Sequence, residues 1–161
     1  MFRRPFSAGL LSKRFSSTLL VIEEQSGNAS SSNLHALTAA TKLGFPVTAL
    51  VAASSSSADA ISKTVSQYPG VGKVLVAKND VFAHGVAESH ADIISNTAKK
   101  GGFSHVITAH SQYGKNVFPR AAALLDVSPV SDITEIDSAD TFKRPIYAGI
   151  SFYLDISYLI I

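Results

Sequence analysis

The sequence predicts an α/β fold in which a mostly parallel sheet lies between two layers of helices. Short apolar segments alternate with amphipathic segments four times along the chain, which is the pattern of units that build a parallel sheet. The length of 161 residues fits one such domain. Apolar residues make up 46% of the chain and charged residues 16%, which permits a sizeable core. The absence of cysteine excludes disulfides, zinc–thiolate sites and thiol catalysis.

The first two strand–helix units precede a turn at Pro69 and Gly70. Their predicted strands are residues 19–24 and 46–52, and their predicted helices are residues 33–43 and 58–67. Residues 27–32 are small and polar and are predicted to form a loop. Asn33 is expected to cap the first helix, whose buried face would carry Leu34, Leu37 and Ala40. Gly44 is expected to end that helix.

The next two units follow the same order. Their predicted strands are residues 73–77 and 103–109, their predicted helices are residues 85–100 and 117–125, and extended segments at 130–136 and 142–147 extend or flank the sheet. The last helix is expected to begin after Asn116, with Val117, Ala121, Leu124 and Leu125 on its buried face because these positions recur with helical spacing. Proline at position 119 would then fall in the first helical turn, where its missing N–H removes no bond.

The first eighteen residues differ in composition from the rest of the chain. They contain four basic residues, four serines and no acidic residue, which is typical of a mitochondrial transit peptide. We expect residues 1–16 to be that peptide; the alternative is a tail of chance composition. The remaining residues include ten basic and twelve acidic side chains without a basic stripe, which argues against nucleic-acid binding. No apolar run approaches the ~20 residues of a membrane helix.

A candidate anion-binding loop lies within residues 111–120, SQYGKNVFPR, after a predicted strand and at the start of a helix. Ligands of open α/β sheets favour this position, and helix N-terminal amides attract negative charge. Gly114, Lys115 and Asn116 are therefore candidates to hold a phosphate. The order of residues differs from that of a P-loop. The alternative is a tight turn with Asn116 as the helix cap and a solvated lysine.

Histidines and carboxylates give no pattern typical of catalysis or of metal binding. His84 and His90 are six residues apart and so fall on different helical faces, and His90 is expected to be a packed core residue. His105 and His110 lie on and just after a predicted strand. An acidic run is interpreted as a solvated face; it comprises Asp132, Glu135, Asp137 and Asp140. No nucleophile elbow, zincin motif or dinucleotide fingerprint is present. We expect no metal site and no enzymatic activity.

Several segments, in order, resemble the N-terminal domain of the alpha subunit of electron transfer flavoproteins. They are LHALTAATKL at 34–43, residues 47–52 and 73–77, SQYGKNVFPRAAALLDVSPVSDITEI at 111–136, and DTFKRPIYAG at 140–149. The resemblance places this domain at residues 17–149. It implies a nucleotide-binding-like, three-layer fold similar to the adenine nucleotide hydrolases.

The resemblance also implies a function and partners. The family forms a mitochondrial matrix heterodimer with a beta subunit and carries electrons on FAD from acyl-CoA dehydrogenases to a membrane-bound quinone oxidoreductase, in fatty-acid and amino-acid oxidation. Its flavin is held mainly by the C-terminal half of the alpha subunit, and its AMP lies in the beta subunit. The resemblance therefore favours the structural interpretation of Gly114, Lys115 and Asn116. It also implies a carrier subunit rather than an enzyme.

The chain departs from the family pattern after Gly149. Residues 150–161, ISFYLDISYLII, are expected to be a divergent apolar tail of a truncated product. None of the family's flavin-binding residues has a counterpart, so we expect this chain alone to bind no FAD. Two alternatives remain open: a stand-alone AMP- or ATP-binding module that uses the loop at 114–116, and a cofactor-free protein that docks on the beta subunit.

Overall fold

The secondary structure alternates strands and helices, as predicted. A computed structural model describes residues 16–146 and the backbone of 151–156 and 159–160. The strands are β1 (Thr18–Ile22), β2 (Glu24–Gln25), β3 (Asn28–Ala29), β4 (Val47–Ala53), β5 (Val71–Lys78), β6 (His105–Ile107), β7 (Pro129–Val130), β8 (Glu135–Ile136), β9 (Thr141–Ile146), β10 (Ser151–Ile156) and β11 (Leu159–Ile160). The helices are α1 (Asn33–Lys42), α2 (Ala58–Ser66), α3 (Ala87–Gly101) and α4 (Gln112–Leu125), with a 3₁₀ turn at Asp80–Phe82.

The main sheet is parallel and has the strand order β5-β4-β1-β6-β11-β7. In its centre, Leu20 of β1 pairs with Ala49 of β4 on one side and Ile107 of β6 on the other. The chain moves outward from β1 through β4 to β5 and then returns to the opposite side of β1 at β6. This reversal is a topological switch point, and it lies between β1 and β6.

Hydrophobic clusters cover both faces of the sheet and confirm the three-layer α/β prediction. Leu20 and Ile22 point to a cluster that includes residues of α1 and α2. Leu19 and Val21 point to a second cluster that includes residues of α3 and α4. Because successive side chains of a strand face opposite sides, burial of all five residues of β1 requires helices on both faces.

The N-cap of the first helix lies one residue earlier than predicted. Ser32 is its N-cap residue, and Asn33 lies inside the first turn. The fully buried Asn33 side chain instead accepts a hydrogen bond from the Glu23 amide and donates one to the Glu23 carbonyl, each at 2.9 Å. The prediction for Leu34 is wrong, since 46% of it is exposed, whereas Leu37 and Ala40 are buried as expected. Gly44 has the positive φ expected at a helix end, +74°.

Helix α4 begins five residues before the predicted start. Ser111 is its N-cap, and its hydroxyl oxygen accepts a hydrogen bond from the Gly114 amide at 3.1 Å. Pro119 therefore lies inside the helix, where it cannot donate to the Lys115 carbonyl. The buried face is shifted as well, because Phe118 occupies it and Leu124 is 41% exposed. The predictions for the helix start and for Leu124 are thus wrong.

This register predicts opposite outcomes for two matched substitutions on α4. Leu124→Asp should leave the free energy of unfolding within about 0.5 kcal/mol of wild type, because the carboxylate stays in water. Val117→Asp should cost several kcal/mol, since Val117 is 1% exposed and the charge would be buried without a partner. Urea denaturation of both variants measures the difference. Equal losses of stability would contradict the register of α4.

The predicted loop at 27–32 contains part of a small hairpin. Glu24 pairs with Ala29 and Gln25 with Asn28, around a two-residue turn at Ser26 and Gly27. Both turn residues have positive φ, +52° and +82°, which matches the right-handed twist of a hairpin. The chain therefore does not pass directly from β1 into α1 but forms this hairpin first.

The C-terminal segments contribute strands to two different sheets. Strands β8, β9 and β10 make a separate antiparallel sheet, whereas β7 and β11 extend the main one. Within the segment interpreted as an apolar tail, the backbone of β10 pairs with β9 over six residues, and Leu159 of β11 pairs with Val106 and Pro129. Most of the predicted transit peptide, residues 1–15, lies outside the described residues, as do residues 147–149 of the last matching motif.

Candidate functional site

The switch point creates a cleft at the carboxyl ends of β1 and β6. It has a volume of about 490 Å³ and lies where open α/β sheets usually bind ligands. We call it the switch-point cleft; it is lined by Glu24, Ser26, Gly27, Phe82, Ala83, His84, Gly85, His90, Gln112, Tyr113 and Asn116. These residues come from the β2–β3 hairpin, the connection from β5 to α3 together with the first turn of α3, and the first turns of α4. Three distant segments of the chain therefore form one cavity.

Three packed rings form the aromatic wall of the switch-point cleft. The ring centroids of Phe82 and His90 are 5.1 Å apart, and those of His90 and Tyr113 are 5.3 Å apart, both edge to face. His90 Nδ1 lies 3.0 Å from the Val86 carbonyl oxygen. A carbonyl oxygen only accepts, so Nδ1 carries a proton. His90 is 3% exposed, which confirms the prediction of a packed histidine.

Two polar atoms of cleft residues are buried without a hydrogen-bond partner in the described part of the chain. They are Oε2 of Glu24 and the hydroxyl oxygen of Tyr113. Burial raises the pKa of the Tyr113 phenol above its usual range, and the nearby charge of Glu23 raises it further. Tyr113 therefore stays neutral at physiological pH and keeps its O–H donor. Both atoms have almost no accessible surface, so they lie behind the surface of the cleft, where leaving them unpartnered is costly.

The predicted anion-binding residues lie in the first turns of α4. Gly114 is buried, its amide is taken by the Ser111 cap, and a Cβ at this position would overlap the Ala109 carbonyl oxygen. The glycine thus allows α4 to pack closely on the end of β6. Lys115 and Asn116 are exposed and, with Gln112, line a shallow depression of about 360 Å³. Anion binding by Lys115 and Asn116 stays a prediction.

A second cleft, of about 350 Å³, lies on the other side of the β6 carboxyl end. It is lined by residues of α1, by Ile133 and by residues 107–111. Thr108 in its wall is 3% exposed, and its hydroxyl has no partner among the described residues. His110 Nε2 is 3.8 Å from Asp132 Oδ1, a separation longer than a hydrogen bond. This arrangement offers no pair of groups poised for proton transfer.

The carboxylates of the acidic run make separate contacts with residues near them in the chain. Lys143 on β9 contacts Glu135 at 3.0 Å and Asp137 at 3.4 Å, and these carboxylates raise the pKa of the Lys143 ammonium. Hydrogen bonds from the hydroxyls of Ser138 and Thr141 lower the pKa of Asp140. These contacts stabilise the β8–β9 hairpin. Within residues 16–146, no group of three or more potential ligands is placed to hold a metal ion.

Comparison with known proteins decides the family. Residues 18–155 match the sequence profile described as "Electron transfer flavoprotein domain". The chain belongs to the electron transfer flavoprotein family. The resemblance seen in the sequence is thereby confirmed, and the profile match continues six residues beyond Gly149, where the resemblance was expected to end.

Family relatives include subunits from plants and a nematode. The chain is 47% identical over 137 residues to "Electron transfer flavoprotein subunit alpha, mitochondrial" of Oryza sativa subsp. indica, which covers 83% of this chain and 38% of the relative. It is 41% identical to the protein of the same name in Arabidopsis thaliana, with the same coverage. It is 40% identical to the "Probable electron transfer flavoprotein subunit alpha, mitochondrial" of Caenorhabditis elegans, covering 88% and 43%. The chain therefore spans about two fifths of the length of these relatives.

The described residues do not fit the flavin dinucleotide that the family name implies. The common dinucleotide fingerprint is a glycine-rich turn that lets a helix N-terminus approach the pyrophosphate. Here the chain after β1 enters the β2–β3 hairpin instead, and the space beside the Gly114 Cα at the start of α4 is occupied by the Ala109 carbonyl. The described residues that line the switch-point cleft also include neither lysine nor arginine. The geometry therefore assigns no flavin contact to these residues.

Sequence reasoning missed most of the switch-point cleft. Glu24 was assigned to the end of a strand and Tyr113 to a loop, and neither was singled out. His84 and His90 were separated because a six-residue spacing places them on different helical faces. In the structure His84 precedes α3, so both histidines reach the same cleft. The available signal was the position of Glu24 at the carboxyl end of the first predicted strand, where ligands of open α/β sheets bind.

Proposed function

We propose that this chain is an alpha-type subunit of a mitochondrial electron transfer flavoprotein and that its α/β unit docks on a beta subunit. The observation that carries the proposal is the family match over residues 18–155, which includes all four helices and the strands from β1 into β10. The full assembly carries electrons from acyl-CoA dehydrogenases to a quinone oxidoreductase in fatty-acid and amino-acid oxidation. The chain is part of an electron carrier and does not itself catalyse a reaction.

The contribution of this chain to the assembly is structural. FAD supplies the electron-accepting ring of the full carrier, and its binding is assigned to parts of the assembly other than the described residues. Support comes from Gly114, whose amide donates to the Ser111 hydroxyl and whose Cα packs on the Ala109 carbonyl, so that this amide is not free for a phosphate. The surface that docks on the beta subunit includes the family motif on α4, where Lys115, Asn116 and Pro119 are exposed.

Co-expression with the beta subunit tests the proposed docking. The 161-residue chain and a tagged beta subunit from the same organism should co-purify and elute together from a size-exclusion column as a one-to-one complex. The Gly72→Ala variant on β5 serves as a folded control outside α4. Separate elution of two folded proteins, each with a cooperative melting transition, would contradict the docking role.

Import into mitochondria tests the predicted transit peptide. Residues 1–16 fused to a fluorescent protein should direct it to mitochondria, because a cationic segment without acids follows the membrane potential. Changing Arg3, Arg4, Lys13 and Arg14 to glutamine should leave the fusion in the cytosol, as seen by microscopy and by subcellular fractionation. Equal import of both fusions would contradict this prediction.

A further inference from the structure

We infer that the fold itself closes the cleavage site at the end of the transit peptide, so that residues 1–16 are removed only before β1 joins the sheet. Removal hydrolyses the amide bond between Ser16 and Ser17, which consumes one water and leaves a carboxylate on Ser16 and an amine on Ser17. The inference rests on the proposed mitochondrial import and adds the order of two events, cleavage first and folding second. It does not depend on the beta subunit.

The main chain on the carboxyl side of this bond is held by hydrogen bonds. The Ser17 amide, which supplies the nitrogen of the bond, donates to the Ser104 hydroxyl oxygen at 3.0 Å. The Ser17 carbonyl oxygen accepts from the amides of Ser104 and His105, at 3.0 and 3.3 Å, and from the Ser104 hydroxyl at 3.0 Å. Both polar groups of the Ser17 main chain are therefore engaged, whereas Ser16 is exposed and lies outside any strand.

The next residue belongs to the centre of the main sheet. Thr18 is fully buried, and its amide donates to the Pro46 carbonyl oxygen at 3.0 Å. It pairs with Val47 of β4 on one side and with His105 of β6 on the other. Because a central strand is bonded along both of its edges, the start of β1 cannot leave the sheet unless neighbouring elements open with it.

A buried histidine holds the same region from a second direction. His105 is 5% exposed, and its Nε2 atom lies 2.6 Å from the carbonyl oxygen of Ala139, in the turn between β8 and β9. Its Nδ1 atom lies 2.9 Å from the Ser104 hydroxyl oxygen, and the Phe45 ring stacks on it with centroids 5.4 Å apart. The residues that bind Ser17 are thus themselves fixed by the C-terminal hairpin, so Ser17 is not part of a fraying end.

These contacts decide when a peptidase can act. Cleavage requires an exposed segment with few internal hydrogen bonds, because residues on both sides of the bond must enter the active-site cleft of the peptidase. Ser16 meets this requirement, whereas Ser17 and Thr18 do not. Cleavage of the folded chain therefore waits for the sheet to open, and its rate falls with the small population of the open form. A newly imported chain offers the same bond before β1 is paired.

Incubation of the 161-residue chain with a mitochondrial matrix extract, followed by mass spectrometry, tests the inference. The folded wild-type chain should lose residues 1–16 at least about a hundredfold more slowly than the Val117→Asp chain, in which a buried charge favours the open form. The matched variant carries a flexible insertion of about six glycine and serine residues between Ser16 and Ser17. It should melt as wild type does and yet be cut while folded, because the insertion separates the bond from the sheet.

A broad-specificity protease, which does not recognise the transit peptide, separates the inference from the proposed import. On the folded wild-type chain it should leave a core that begins at or before Ser16, and a core that begins at Ser17 or later would overturn the inference. Equally fast loss of residues 1–16 from wild type and from the insertion variant would also overturn it, with import left intact. If the extract cuts neither the insertion variant nor Val117→Asp, the transit peptide itself is contradicted, and the inference with it.

Discussion

Replacing Phe118 with alanine is expected to lower the free energy of unfolding by about 3–5 kcal/mol. The side chain is fully buried and is among the largest in the core. It packs in the cluster that joins α3 and α4 to the sheet, where Leu19, Val106 and Ile94 also lie. Its removal leaves a cavity that α4 cannot fill, because the helix is tied to the end of β6 through Ser111 and Gly114.

Urea denaturation monitored by circular dichroism measures the effect of Phe118→Ala. The matched control is Leu124→Ala on the same helix, which should cost less than about 1 kcal/mol because Leu124 is half-exposed. The two variants differ in which face of α4 they change. Similar losses in both would show that α4 packs with a different face on the sheet.

Replacing Gly114 with alanine is expected to cost about 3 kcal/mol, the upper part of the range for overpacked sites. The added methyl group would overlap the Ala109 carbonyl oxygen, and Thr108 lies close by. A backbone atom cannot move aside as a flexible side chain does. The start of α4 must therefore shift, which also weakens the hydrogen bond from the Gly114 amide to Ser111.

Gly72→Ala is the control for the Gly114 substitution. A Cβ at Gly72 would lie 3.7 Å from the Val47 carbonyl oxygen, an ordinary contact, so this variant should stay within about 0.5 kcal/mol of wild type. Thermal and urea unfolding of both variants give the comparison. A Gly114→Ala protein with unchanged stability would mean that the glycine is not needed for packing, and the interpretation of Gly114 as an anion contact would regain support.

The alternation of strands and helices was predictable because each signal is local. The apolar run of β1 forms a strand buried on both faces, and Gly44 and Gly102 end their helices with positive φ, +74° and +62°. These features depend on residues within a few positions of one another. Fold class and the approximate place of each major element follow from them.

The start of α4 was not predictable from the same signals. Pro119 suggested a first helical turn, since proline is tolerated there. The structure instead begins the helix at Ser111, whose hydroxyl caps the Gly114 amide, and tolerates proline inside it. The buried face of α4 compensates for the lost backbone bond, because Val117, Phe118 and Ala121 are almost fully buried. Tertiary packing here outweighs a local preference.

The candidate site was the least predictable part of the molecule. Lys115 and Asn116 stood out in the sequence because they lie in one short motif. The switch-point cleft joins Glu24, His90 and Tyr113, which are far apart in the chain and share no motif. Their proximity depends on the order of strands in the sheet, and the unpartnered state of Glu24 Oε2 depends on the surrounding side chains.

The visible absorption spectrum of the co-purified complex tests the central claim most directly. We expect the 161-residue chain and a beta subunit to form a one-to-one complex without flavin absorbance, since we propose that parts of the assembly outside the described residues hold the flavin. Stoichiometric flavin bands in that complex would contradict the assignment of flavin binding to other parts of the assembly. Failure of two folded subunits to associate would contradict the docking role itself.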